Sequence, residues 1–221
     1  MVAWRRRRRR PFDGFVDREV GELFEGFVDV YIGELLESRG WTRAGLMFAK
    51  LNSLGDAVFL RLQLSQSSHG SFIAFFVNEN AAPRPWSEFR SALLNTPVND
   101  WEGQSIVGVF WAWRLKAPDD GTNRVDSSSW YVDVSDQSSV QACGTSLRAA
   151  VEAASADLEE LLDREQLRLR VARDERSVQD LLELILDVDE GRPVETGRLA
   201  GMDDEFVQWL AARGLNLTER P

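Results

Sequence analysis

Residues 57–67 read Ala57-Val58-Phe59-Leu60-Arg61-Leu62-Gln63-Leu64-Ser65-Gln66-Ser67, and residues 72–78 read Phe72-Ile73-Ala74-Phe75-Phe76-Val77-Asn78. In the first run Val58, Leu60, Leu62 and Leu64 alternate with Phe59, Arg61, Gln63 and Ser65. Side chains on a strand alternate between its faces, so this pattern predicts one buried and one wetter face. The second run is apolar at both parities, which predicts a central strand covered on both sides. Ser67-Ser68-His69-Gly70 separates the two, and Asn52-Ser53-Leu54-Gly55-Asp56 separates the first from another apolar run over 43–51. Three short apolar runs joined by turn residues predict an antiparallel meander.

Upstream, Val20, Phe24, Phe27, Tyr31 and Leu35 recur at spacings of 4, 3, 4 and 4 with acidic residues mostly between them, and Gly40 follows. This predicts an amphipathic helix ended by a left-handed glycine. Downstream, Pro83, Pro85 and Pro97 mark a connection with a short helix around Trp86 to Leu94. Two further strands follow, Ser105 to Leu115 and Trp130 to Val134, flanking the turn cluster Asp119-Asp120-Gly121-Thr122-Asn123, with Trp111, Trp113 and Trp130 anchoring the sheet. From Ser138 the pattern is helical through Leu147, Val151, Ala154, Leu158 and Leu161. It either continues to Val171, at about 1.5 Å per residue, or breaks near Arg164. Ser177 with Asp180 resembles a capping box opening a helix to Val188; Gly191-Arg192-Pro193 ends it, and Asp203 to Ala212, closed by Gly214, forms a last helix. The fold class is therefore α+β: a sheet of about five antiparallel strands preceded by one amphipathic helix and followed by a long helix and a small helical C-terminal extension. The division along the chain is an arginine-rich tail at 1–13, an α+β domain at 14–172 and a helical extension at 173–221.

The chain has 221 residues, 43% hydrophobic and 28% charged, enough apolar content for a globular core. Its 26 basic and 36 acidic residues give −10; without the six arginines Arg5 to Arg10 the balance is 20 against 36, or −16. An acidic body repels phosphate, which argues against general coating of nucleic acid by the folded part, while the basic tail attracts phosphate or anionic lipid. Cys143 is the only cysteine and His69 the only histidine. An intramolecular disulfide, a cysteine-based zinc site and a two-histidine metal or haem site are therefore unavailable, and a reducing, cytoplasmic setting is favoured. The arginine run resembles the start of an export signal, but Pro11 to Glu19 is acidic and lacks an apolar core. No apolar run approaches the roughly 20 residues of a membrane span. The chain reads as neither exported nor membrane-spanning.

The order of an amphipathic helix, Gly40-Trp41-Thr42-Arg43, Ala57 to Ser67 and Phe72 to Asn78 resembles the family catalogued as domain of unknown function 4304. Gln63, Ser65 and Asn78 match that family's pattern of a Gln and a Ser on the second strand and an Asn near the end of the third. The resemblance covers about residues 16 to 135. It implies an α+β fold in bacterial proteins with no established activity attached, and its bacterial setting suggests an immunity or defence-associated role.

Four features carry functional expectations. Arg61, Gln63 and Ser65 share one strand face with Asn78 on the neighbour, a polar row with directional donors and acceptors for a ligand or partner, or else a solvated face with Asn78 ending its strand. His69 would need Ser67 or Ser68 as nucleophile and an orienting carboxylate to act as a base; otherwise it is a loop histidine. Arg5, Arg6, Arg7, Arg8, Arg9 and Arg10 can contact phosphates with a salt-dependent affinity, but only Trp4 and Phe12 accompany them for base stacking. The carboxylate clusters Asp119-Asp120, Asp187/Asp189/Glu190 and Asp203-Asp204-Glu205 lack the order of a calcium loop, and Gly103 to Gly108 lacks the lysine of a phosphate loop. The sequence thus implies no cofactor and no metal. Its leading reading is a non-enzymatic cytoplasmic module that binds a protein partner through the sheet face or an apolar patch around Leu158 to Leu169. Alternatives are nucleic-acid association through the arginine run and a hydrolase using His69 or a carboxylate-held metal.

Overall fold

The computed structural model describes residues 18–94, 111–118, 128–174 and 176–219. The architecture is α+β with an antiparallel sheet. Among the described residues the sheet has six strands: β1 (Thr42–Ala44), β2 (Met47–Leu51), β3 (Ala57–Leu64) and β4 (Phe72–Ala82) are neighbours in that order. The far edge of β4 is shared by β5 (Trp111–Arg114) and β6 (Trp130–Asp133). The register of β4 with β6 is antiparallel and pairs Phe72 with Asp133 and Phe75 with Trp130. The run at 43–51 forms two strands because Gly45 turns the chain at φ +59°, a conformation that a side chain disfavours. The alternation in β3 appears only from Arg61 onward, since Phe59 is buried like its neighbours Val58 and Leu60. Asn78 does not end its strand: β4 continues to Ala82 and buries Asn78, Glu79 and Asn80.

Helix α1 (Arg18–Val28) passes through a π-helical turn (Asp29–Gly33) into α2 (Glu34–Ser38). That turn inserts one extra residue into the helical repeat, so the buried stripe slips by one. Val20, Phe24 and Phe27 are buried as the spacing predicts, but beyond the turn Ile32 and Leu36 are buried in place of Tyr31 and Leu35. Gly40, at φ +81°, ends α2, and the Trp41 N–H donates to the Leu36 carbonyl at 3.0 Å.

The short helix after the meander is α3 (Arg84–Leu94). The long helical pattern is interrupted: α4 (Gln137–Glu160) and α5 (Arg164–Asp174) are separated by a tight turn in which the Leu161 and Asp163 N–H groups donate back to Leu158 and Glu160. The Asp163 carboxylate then accepts from the N–H groups of Glu165 and Gln166, a helix cap that starts α5 afresh. Helix α6 (Arg176–Asp189) already includes Ser177, which therefore lies inside the helix rather than ahead of it. Gly191, at φ +69°, closes α6, and α7 (Asp204–Ala212) is capped by Asp203 and followed by Gly214 at φ +88°. A parallel pair, β7 (Val194–Glu195) with β8 (Leu217–Thr218), completes the C-terminal part.

The chain divides into two compact units, and β2, β3, β4, β5 and α4 contribute residues to both. One unit comprises residues up to Phe48, Arg61–Asn78 and Arg114–Ala153. Its interior centres on Phe75, which meets Phe24 at 4.8 Å and stacks on Trp130 at 6.1 Å between ring centroids. Gly144 of α4 lies against the Tyr31 ring, where a Cβ would clash. The other unit comprises Ala49–Leu60, Glu79–Trp113 and Ala154–Pro221. There Leu184, Ile185, Val188, Val194, Phe206 and Leu210 form a cluster against which Trp86 and Phe89 of α3 pack. Trp113 is 51% exposed and anchors nothing by burial, in contrast to Trp130 at 2%. No helix among the described residues is long and apolar enough to cross a membrane.

Candidate functional site

Strand alternation sets the first candidate. Phe75 faces α1, so Phe72, Ala74, Phe76 and Asn78 point to the opposite, outer face of the sheet, together with Tyr131 and Asp133 opposite Ala74 and Phe72 on β6. Phe72 is 37% exposed although it lies on the strand with most neighbours. Its ring stacks on Tyr131 at 5.5 Å and meets the His69 ring at 5.8 Å. The exposed Arg114 places its guanidinium 4.4 Å from the centroid of Phe76, a cation–π arrangement.

Of the polar row predicted from sequence, the structure joins two members. The Asn78 Nδ2 donates to Gln63 Oε1 and to the Arg61 carbonyl, both at 3.4 Å, while Gln63 stays exposed. Arg61 enters this contact through its backbone and is half-buried. Ser65 turns away into the loop, its Oγ 2.9 Å from the Ser67 Oγ. Asp133, the carboxylate on this face, accepts from the Ser135 hydroxyl at 2.7 Å and the Ser135 N–H at 3.0 Å. These bonds, with one from the Ser71 hydroxyl, hold its pKa below the usual carboxylate value.

His69 sits in the turn before β4, where its Nδ1 donates to the Ser67 carbonyl at 2.8 Å. The Ser68 hydroxyl donates to the Ala74 carbonyl at 2.9 Å and accepts from the Ala74 N–H at 3.0 Å. Ser67 is paired with Ser65. In this arrangement neither hydroxyl is hydrogen-bonded to the imidazole, and the ring nitrogen that a triad would orient through a carboxylate is held by a backbone carbonyl.

A second constellation, in the other unit, was not singled out from sequence. Asp56, 3% exposed, accepts a bidentate pair from Arg164, Nε to Oδ2 at 2.8 Å and Nη2 to Oδ1 at 3.0 Å. It also accepts from the Arg84 backbone N–H at 2.8 Å, at the start of α3, and from Asn52 Nδ2 at 3.2 Å. Burial alone would raise the Asp56 pKa, but these donors outweigh it and hold the carboxyl below its usual value. Burial likewise opposes charge on Arg164, and Asp56 with Asp189 outweighs it, so the guanidinium stays protonated. Arg164 reaches Asp189 at 2.9 Å and Glu190 at 3.4 Å; Arg168 reaches Glu190 at 3.1 Å, and Arg198 reaches Asp187 at 2.8 Å. The Asp187/Asp189/Glu190 carboxylates are thus occupied by arginines, and Asp203 by the N-terminus of α7. Asn52, Gly55 and Asp56 read as ordinary turn residues in sequence; only the distant Arg164 shows that Asp56 is buried and charged.

Glu79 is the other buried acid. Burial and the nearby Asp157 of α4 push its pKa up to about 7, against the opposing pull of Arg170 of α5. The signal in the sequence was faint: Ala81-Ala82 resumes the apolar run after Asn78-Glu79-Asn80, although the asparagines read as residues that could end the strand. Among the described residues no group of three or more His, Cys, Asp or Glu side chains is placed to hold a metal ion. Leu158, Leu161 and Leu167 are buried, so of the apolar patch expected on the helix only Leu169, at 52%, is exposed. Arg5 to Arg10, the Asp119-Asp120 pair and Gly103 to Gly108 lie outside the described residues. No family model, curated protein or solved structure matches the chain, and the family resemblance noted in the sequence gains no support from them.

Proposed function

We propose that this chain is a non-enzymatic binding module that engages a protein partner through the outer sheet face around Gln63, Phe72, Phe76, Tyr131 and Arg114. The observation that carries this reading is the stacked, solvent-reaching Phe72–Tyr131 pair beside a guanidinium held over Phe76. Aromatic rings and arginine dominate the energetic centres of protein interfaces, because they bury large area at little conformational cost. The neighbouring Gln63–Asn78 amide pair supplies directional hydrogen bonds at the same face. These groups recognise; none is arranged as a nucleophile with its base. The lone cysteine and lone histidine suit a cytoplasmic location, and a bacterial defence role rests on the family resemblance alone.

The test is affinity capture from nuclease-treated native lysate with the wild-type chain, the Phe72→Ala/Tyr131→Ala variant and a deletion of Arg5 to Arg10, after matching their melting temperatures. A protein retained by the wild type and the deletion but lost with the double variant supports the reading. Equal recovery by all three overturns the face assignment. Nucleic acid recovered without nuclease and only with the intact arginine run favours the second reading, in which Arg5 to Arg10 form the functional element.

A further inference from the structure

Glu79 is buried without the hydrogen bonds that accompany the other buried acid. It is 8% exposed, and the influences on its ionisation are burial, Asp157 and Arg170, with no hydrogen-bond donor among them. Asp56, by contrast, is bonded by Arg164, the Arg84 N–H and Asn52. A carboxylate placed as Glu79 is carries its desolvation cost until a partner arrives from outside.

Strand geometry defines its surroundings. The Leu115 N–H donates to the Val77 carbonyl at 2.9 Å, and β6 takes the same edge of β4 from Phe72 to Phe75. β5 therefore runs antiparallel along the rest of β4, which sets Trp113 opposite Glu79 on the same face of the sheet. On the other side of β4 the Ser65 N–H donates to the Ala74 carbonyl at 2.8 Å, a register that sets the buried Leu60 of β3 opposite Glu79. The charged groups that act on the carboxyl are Asp157 of α4 and Arg170 of α5. Glu79, Trp113, Asp157 and Arg170 all belong to one compact unit. Trp113 is 51% exposed, and Asp157 is exposed as well. With both acids ionised, two carboxylates against one guanidinium leave the group one positive charge short, beside an indole ring that reaches solvent.

We propose that Glu79, Asp157 and Trp113 form a binding site for a primary alkylammonium group, carried by a small amine or by a lysine side chain. The ammonium donates hydrogen bonds to the two carboxylates, while its charge and alkyl stem lie against the Trp113 ring. A sugar also stacks on an indole, but it leaves the missing charge unsupplied. The ammonium needs Glu79 ionised, and burial with Asp157 pushes that carboxyl up to about 7. Its ionised fraction is then about a tenth at pH 6 and about nine tenths at pH 8, so binding strengthens with pH. This site does not depend on the sheet-face reading.

The test uses the full-length chain with isotope-labelled tryptophan and n-butylammonium chloride as probe, at constant ionic strength. The indole N–H resonance of Trp113 is assigned by its loss in Trp113→Phe. A saturable shift of that resonance is expected, with an affinity about tenfold tighter at pH 8 than at pH 6. In Glu79→Gln the affinity at pH 8 should fall by about tenfold and its pH dependence should vanish. Asp157→Asn, a change at an exposed position, should weaken binding by a similar factor at both pH values. Nα-acetyl-lysine methylamide separates the two sources: tighter binding than butylammonium assigns the site to a lysine of a protein, weaker binding to a free amine, and both uphold it. No saturable shift, equal affinity at pH 6 and pH 8, or an equal shift with neutral n-butanol or methyl glucoside would each overturn the site.

Discussion

Glu79 carries the clearest single-residue consequence. Its pKa of about 7 in the folded chain lies above its ordinary 4.5, so between those values the folded protein binds more protons than the unfolded one. Stability therefore falls as pH rises through this window, and above about 7 the ionised group imposes its full cost, about 3 kcal/mol for such a shift. Glu79→Gln should raise the melting temperature at pH 8 and lose that advantage below pH 4.5, which a pair of thermal melts checks; no gain at pH 8 would show the carboxyl to be solvated. Gly144 is the complementary case of a residue defined by what it lacks. With the Tyr31 ring where a Cβ would stand, Gly144→Ala should destabilise by about 1–3 kcal/mol in denaturant titration, and Tyr31→Ala in the same chain should recover part of the loss. The alternation Arg61, Gln63, Ser65 was enough to place Gln63 on one face, because a strand's period fixes side-chain direction. It could not show that Ser65 would prefer the hydroxyl of Ser67, two residues away, over the sheet row. Neither period nor composition signals that Glu79 lies beside Asp157, some eighty positions along the chain.

At the scale of elements, periodicity gave the helices and strands their kinds but not their interruptions. The stripe from Val20 to Leu35 predicts a helix, and a helix is there; the π-helical turn that moves the buried positions to Ile32 and Leu36 depends on partners far along the chain. Arg43 pairs with the Asp29 carboxylate, and Arg148 Nη1 donates to the Tyr31 carbonyl at 3.2 Å, one of the acceptors that a widened turn loosens. Arg148→Met should cost about 1 kcal/mol in denaturant titration and alter the near-ultraviolet signal of the aromatic residues around Tyr31. An unchanged stability would mean that the wide turn needs no such partner. The break between α4 and α5 was one of two readings of a continuous apolar pattern. Asp163 settles it by capping α5, a role that depends on the chain having already turned.

Across the whole molecule, the sequence carries −10 of net charge, and much of the acid near the C-terminus is neutralised within its own unit by Arg164, Arg168, Arg192 and Arg198. Asp56 makes that network acid-sensitive: with its pKa held below the usual 3.8, its contribution is fully present above that value and is lost as pH falls through the lower, folded value. Glu79 acts in the opposite direction at higher pH. Together they place the greatest stability of these two groups near pH 4, above the range in which Asp56 protonates and below the 4.5 from which Glu79 begins to cost, a maximum that thermal melts across the pH range should display. Fold class was legible because hydrophobic period alone distinguishes helix from strand. The proposed binding face was legible in outline, at Gln63 and Asn78, whereas the strand carrying Phe72 and Phe76 read as covered on both sides and Tyr131 carried no signal of its own. An apolar strand looks the same in sequence whether both of its faces are covered or one reaches solvent. The most direct test of the binding reading is to place a photo-crosslinking phenylalanine analogue at Gln63, on the outer face, or at Val30, 73% exposed on the π-helical turn, and to irradiate cells expressing each. The account predicts a discrete protein adduct at position 63 and none at position 30; no adduct at 63, or the same adduct at both, would contradict it.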